Sequence, residues 1–94
     1  MRLSQKEIET IKKIIIDFFG ESEIYLFGSR VDDMKVGGDI DLFVIPKNRE
    51  GNLFEKKIKA SVKLENLLQL PVDIVVHYDF ERLIEKEALK GIKL

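Results

Sequence analysis

The chain predicts an α/β domain, a small mixed β-sheet of about three strands flanked by helices. Three observations carry that expectation. Apolar residues recur at helical spacing in three stretches, and three short apolar runs lie between them. Glycine and proline stand at the junctions, where they punctuate regular structure. No internal repeat, low-complexity tract or linker interrupts this order, so residues 1–94 read as one domain.

The elements follow in turn. Ser4 with Glu7 three residues on forms a capping-box signature, and Ile8, Ile11, Ile15 and Phe18 then repeat on one helical face. Gly20 ends this first helix in a left-handed cap. Ile24 to Phe27 is the first strand, and Ser29 to about Asp33 a short helical turn. Asp39 to Ile45 is the second strand, stopped by Pro46, which cannot continue a central ladder. Lys47 to Asn52 is a polar loop. From Leu53 to Leu70, Phe54, Ile58, Val62, Leu67 and Leu68 mark the inward face of a second long helix. Lys56, Lys57, Lys59 and Lys63 fall largely off that stripe, on what reads as a solvated face. Pro71 opens the third strand, which runs through His77. Asp79 then caps a last helix with Leu83, Ile84 and Leu89 inward, ending at Gly91 before a short tail, Ile92-Lys93-Leu94.

Composition narrows the class of function. The balance of 16 basic against 17 acidic residues argues against a nucleic-acid binder that relies on bulk positive charge. Zero cysteines exclude a disulfide framework and a thiolate metal site, and fit a cytoplasmic chain. No apolar run approaches the roughly 20 residues that span a membrane. Charges recurring from Lys6 to Lys13 break any signal-peptide pattern.

The chemistry concentrates in three places. In Gly38-Asp39-Ile40-Asp41-Leu42 the two carboxylates lie two residues apart at the start of a strand. Alternate strand residues share a face, so Asp39 and Asp41 aim at one spot while Ile40 and Leu42 point into a core. Two like charges held together resist ionisation unless a cation or a shared proton relieves them. A hard divalent ion does so, and Mg²⁺ takes one or two carboxylates plus substrate phosphates. Asp73, the single acidic residue in Pro71-Val72-Asp73-Ile74-Val75-Val76, completes a three-carboxylate cluster if its strand pairs beside the first. Two-metal phosphoryl chemistry needs such a cluster, with ions about 3.5–4 Å apart. Gly28-Ser29, a tight turn after the first strand, lets backbone approach a phosphate and offers hydroxyl and N–H donors to it.

Each feature has a plainer reading when taken alone. Asp39 and Asp41 also read, less often than not, as strand-entry residues, one capping the turn and one solvated; Gly28-Ser29 alone is more often a simple strand-to-helix turn, and Asp73 alone more often an edge residue. An EF-hand loop also begins Asp-x-Asp, and Glu50 falls at its twelfth position, but Phe43 and Val44 stand where it needs a ligand and a glycine. His77, the only histidine, reads as structural or incidental.

The ordered set Gly28-Ser29, Asp39-x-Asp41 and a later lone Asp73 resembles the minimal nucleotidyltransferases of the DNA polymerase β superfamily, over a span from about Ile24 to Val76. Two departures stand out. Val31, Asp32 and Asp33 follow Arg30 where the family often has a second arginine and a glycine, and Gly38 replaces a common serine before the first aspartate. The resemblance implies that Asp39, Asp41 and Asp73 hold two Mg²⁺ ions and catalyse transfer. It implies that Gly28 and Ser29 grip the β- and γ-phosphates of ATP, with Arg30 as a charge partner. Relatives of this size look like antitoxins whose partner is a small helical ribonuclease toxin of the HEPN family, silenced by transfer of AMP to a tyrosine. Larger relatives add a domain that recognises the acceptor. Without one, the acceptor brings its own surface, with Leu83–Leu94 or the first helix as the docking face, or the domain builds one by homo-oligomerisation. Two alternatives remain open: a catalytically inactive steric antitoxin, and a nucleotidyltransferase acting on a small molecule.

Overall fold

The computed structural model describes residues 3–28 and 39–94. Helix α1 (Gln5–Phe19) opens with the capping box that the sequence predicts: the Glu7 N–H donates to Ser4 Oγ at 3.1 Å, and the Ser4 N–H donates to Glu7 Oε1 at 2.8 Å. These two bonds satisfy helix-end donors that have no partner within the helix. Ile11, Ile14, Ile15 and Phe19 are buried from this helix. Gly20 closes it with φ 76° and ψ −164°, so the left-handed helical cap expected there is replaced by a mirror-extended glycine conformation.

Strand β1 (Ser22–Phe27) pairs antiparallel with β2 (Ile40–Pro46), and β2 pairs in parallel with β3 (Val72–Val76). Helix α2 (Leu53–Leu68) makes the crossover between the two parallel strands, as a parallel connection requires. After β3 comes helix α3 (Leu83–Leu89). The tail then becomes a fourth strand, β4 (Ile92–Lys93), antiparallel to β1, so the sheet order is β3-β2-β1-β4. Two residues carry no alternation to read, which is why the sequence showed only a tail. Gly91 allows this return: a Cβ there would run into the Leu26 carbonyl oxygen and lie 3.0 Å from Phe27 Cβ.

The main core lies between one sheet face and the helix pair α1–α2. Ile24, Leu26, Ile40, Leu42, Val44, Val72 and Ile74 point into it from the strands, Ala60 and Leu64 from α2. The inward face of α2 differs from the one expected. Leu53, Ala60, Leu64 and Leu68 face the core, whereas Phe54 (68% exposed), Ile58 (46%), Val62 (50%) and Leu67 (51%) face out. Two apolar stripes run along this helix, and the one carrying small Ala60 lets it approach the sheet.

Helix α3 also turns the other way. Leu83, Ile84 and Leu89 are exposed, while Glu85 and Ala88 are buried. Its N-cap is Arg82, without a side-chain cap bond; Asp79 instead orders the preceding turn by accepting from the Glu81 N–H at 2.9 Å. This helix lies on the second sheet face, where Phe43 is fully buried and packs 6.3 Å from the Tyr25 ring centroid.

Candidate active site

The second sheet face carries the acidic residues. Asp41 and Asp73 are register partners across the parallel β2–β3 ladder, so their side chains emerge on one face of strands about 4.8 Å apart. One bond links the two strand starts, and a second anchors β3 to α2. The Ile40 N–H donates to the Pro71 carbonyl at 2.9 Å, and the Val72 N–H donates to Glu65 Oε2 at 2.9 Å. Asp39 stands exposed immediately before β2, two residues from Asp41 and therefore on its side of the chain.

Gly28 belongs to the same spot. Phe27 pairs with Asp41 on the antiparallel side, so the next residue lies against the Asp41 side chain. Gly28 has φ +78°, and a Cβ built on it would run into Asp41 Oδ2 and lie 3.1 Å from Asp41 Cγ. The Asp41 carboxylate thus occupies the space that any other residue type at position 28 would fill. Partial burial, then the charge of Asp73, then that of Asp39 push the Asp41 carboxyl above the usual carboxylate range. Asp41 is therefore coupled by charge to Asp73 and Asp39 and by close packing to Gly28. Ser29 and Arg30, the other two candidates from the sequence, lie outside the described residues.

Among the described residues no three acidic, histidine or cysteine side chains form a ready-made metal cage. The donor set nonetheless suits a hard divalent cation. It is all carboxylate oxygen, its members repel one another, and Mg²⁺ completes its shell with water and substrate phosphates rather than an all-protein cage.

A second polar group, which sequence reasoning left as a lone histidine, closes the far end of β3. Glu85 has no exposed surface, and its carboxylate accepts from the Tyr78 N–H at 2.8 Å, the Asp79 N–H at 2.9 Å and an Arg82 guanidinium nitrogen at 3.0 Å. His77 Nδ1 lies 2.7 Å from Glu85 Oε1 and is the donor when that carboxyl is ionised. The histidine ring stacks on Phe80 with centroids 3.9 Å apart. Burial alone would raise the Glu85 carboxyl. The bonds from His77 and the two backbone N–H groups, with the pull of His77, outweigh it and hold the group below its ordinary value. No sequence signal marked Glu85, because a charged residue in the run Glu85-Lys86-Glu87, just after Leu83 and Ile84, reads as the polar side of the helix.

Between these two ends a cleft of about 530 Å³ follows β3, an edge strand of the sheet among the described residues. Arg49, Phe54, Lys57, Asp73, His77 and Arg82 are among its walls. Lys57 thus departs from the solvated lysine face expected of α2, whereas Lys59 pairs with Glu55 at 2.6 Å at the surface.

Fold and site together define an α/β domain that presents clustered carboxylates beside a glycine turn. The family model described as nucleotidyltransferase domain matches residues 8–94, and the chain belongs to that family. Among curated proteins no sequence match is found. Solved structures agree in fold. A tri-AMPylated HEPN toxin of Shewanella oneidensis in complex with its MNT antitoxin matches with TM-score 0.71 at 23% identity, over 95% of this chain and 68% of that one. A toxin–antitoxin complex named MntA-HepT matches with TM-score 0.70 at 21% identity, over 96% and 70%. A toxin–antitoxin structure with AMP-PNP matches with TM-score 0.62 at 28% identity, over 79% and 57%. No helix among the described residues is long and apolar enough to cross a membrane.

Proposed function

We propose that this chain is a Mg²⁺-dependent nucleotidyltransferase that moves AMP from ATP to a tyrosine hydroxyl of a HEPN-type toxin partner and so acts as its antitoxin in the cytoplasm. The observation that carries this reading is the in-register Asp41–Asp73 pair packed against Gly28. A binding module has no need of like charges held side by side, whereas metal-assisted phosphoryl transfer uses them to hold its cations. Family membership supports the transfer chemistry, and structures of MNT antitoxins with HEPN toxins support the choice of partner.

In this mechanism Asp39, Asp41 and Asp73 hold two Mg²⁺ ions, which when bound neutralise charge on the triphosphate and polarise the α-phosphate. Asp73, at the open edge of the sheet, faces the acceptor and helps activate its hydroxyl. Gly28, across Asp41 on the β1 side, keeps the backbone close to the β- and γ-phosphates, with Ser29 and Arg30 as further donors. The acceptor oxygen bonds to the α-phosphorus in line as the bond to the bridging oxygen breaks, and pyrophosphate leaves. The toxin of the Shewanella complex is tri-AMPylated, and we extend that to this chain: the transfer repeats on its own product.

The test is a tagged pull-down from the native host with intact-mass analysis of what co-purifies, run with wild type and with Asp39→Asn/Asp41→Asn. A helical partner heavier by one or more AMP groups only with wild type supports the reading. The same partner unmodified in both samples replaces it with a steric antitoxin, and no partner at all points to a small-molecule acceptor.

A further inference from the structure

The cleft along β3 holds chemistry that the roles above leave unused. Arg49, Lys57 and Arg82 place three cationic side chains in its wall against the one carboxylate of Asp73. Phe54 and Tyr78 add aromatic faces. Arg82 is held in place, since one guanidinium nitrogen donates to buried Glu85 at 3.0 Å and its central carbon lies 5.9 Å from the Tyr78 ring centroid. Such a wall suits a ligand that combines a phosphate ester with a planar ring: cations bind the ester, and aromatic faces stack on the ring. The cleft volume of about 530 Å³ falls within the range of small-ligand pockets.

Position decides which reactant the cleft serves. It begins at Asp73 on edge strand β3, while Gly28 lies on the opposite side of Asp41, at the end of β1. On the transferase reading the leaving phosphates take the Gly28 side and the acceptor the Asp73 side. We propose that the cleft is a subsite for an acceptor that already carries a nucleoside monophosphate, the product of a first transfer, and presents its ribose hydroxyl for a second. This proposal rests on the transferase reading above. In the second transfer the ribose oxygen bonds to the α-phosphorus of ATP and the bond to the bridging oxygen breaks. Pyrophosphate leaves with that electron pair, the hydroxyl proton passes to solvent, and the acceptor grows by one nucleotide. A bare tyrosine hydroxyl has no charge for Arg49 and Lys57 to meet, so these two side chains act on the later transfers.

Two measurements test the assignment. In the first, the chain is titrated in metal-free buffer with the AMP ester of N-acetyl-tyrosinamide and with N-acetyl-tyrosinamide alone, and backbone amides are followed by NMR. The ester binds about tenfold more tightly than the bare tyrosine, with shifts at Lys57 and Tyr78, and Arg49→Gln/Lys57→Gln removes that preference. Equal binding of the two probes, or shifts confined to Gly28 and Asp41, overturns the proposal. In the second, the chain is incubated with its co-purified partner, ATP and Mg²⁺, and the partner's mass is followed in time. The double variant lowers the ratio of second- to first-transfer rates by about tenfold or more. An unchanged ratio overturns the subsite. If wild type transfers nothing, the transferase reading fails by itself, and the ester titration still decides what the cleft binds.

Discussion

Replacing Gly28 with alanine perturbs the carboxylate geometry without changing a charge. Gly28 has φ +78°, where a Cβ costs about 1–2 kcal/mol. The new methyl also runs into Asp41 Oδ2 and lies 3.1 Å from Cγ, tighter than an ordinary contact. Asp41 is laddered on both sides, to Phe27 and to Asp73, so β2 cannot slide away and the carboxylate must turn. Overpacking of this kind costs about 1–3 kcal/mol. The sum lowers the melting temperature of a domain this size by roughly 10 °C or more. In the Asp41→Ala background the collision disappears and only the backbone cost of about 1–2 kcal/mol remains. Urea unfolding of all four proteins in metal-free buffer therefore yields a coupling of about 1–3 kcal/mol. An equal cost of Gly28→Ala in both backgrounds would refute the packing of Asp41 over Gly28. On the proposed function, a displacement of about 1 Å also slows transfer about 10²-fold.

The remaining predictions follow from the same contacts. Asp41→Asn melts no lower than wild type without metal, because it removes a carboxylate already pushed upward by burial, Asp73 and Asp39, and on the proposed function it abolishes AMP transfer; a clear drop in a calorimetric scan contradicts the cluster. Glu85→Ala strips the buried acceptor of Tyr78, Asp79, Arg82 and His77, and costs about 3–5 kcal/mol in denaturant unfolding. The Glu85 carboxyl sits below its ordinary value of 4.5, so its stabilisation is complete above that pH and fades as pH falls through the lower folded value. The raised Asp41 works in the opposite sense: its penalty is full at neutral pH and lifts as pH falls toward 3.8. Unfolding of wild type and Glu85→Gln across the acid range separates the two, since only wild type shows the Glu85 loss. On α2, Leu64→Ala costs about 2–5 kcal/mol, whereas Ile58→Ala stays within about 0.5 kcal/mol; the reverse order in melts would restore the inward stripe expected from sequence.

How much was legible depended on whether a signal was local. The capping box of α1 needs only Ser4 and Glu7, three residues apart, and the structure reproduces it bond for bond. The Asp39-x-Asp41 spacing puts both side chains on one side of the chain in an extended segment, and the structure keeps that relation although β2 begins only at Ile40. Helix orientation was not local. Phe54, Ile58 and Val62 form as good a stripe as Leu53, Ala60 and Leu64, and hydropathy cannot choose between them. The choice fell to packing, which favours the small Ala60 against the sheet. Glu85 was illegible for a related reason: a buried carboxylate is tolerable only once His77, Arg82 and two backbone N–H groups converge on it from neighbouring turns.

The sequence by itself determined the α/β class and the order of helices and main strands, and it singled out Asp39, Asp41 and Asp73 as the candidates for phosphoryl chemistry. Those follow from periodicity, capping and motif spacing, which act over a few residues. Only the tertiary structure decided that Asp73 stands in register with Asp41, that Gly28 yields its space to a carboxylate, and that the last two-residue strand returns to β1. Each of these joins segments distant in sequence. The contact that sets it exists only once the sheet has formed.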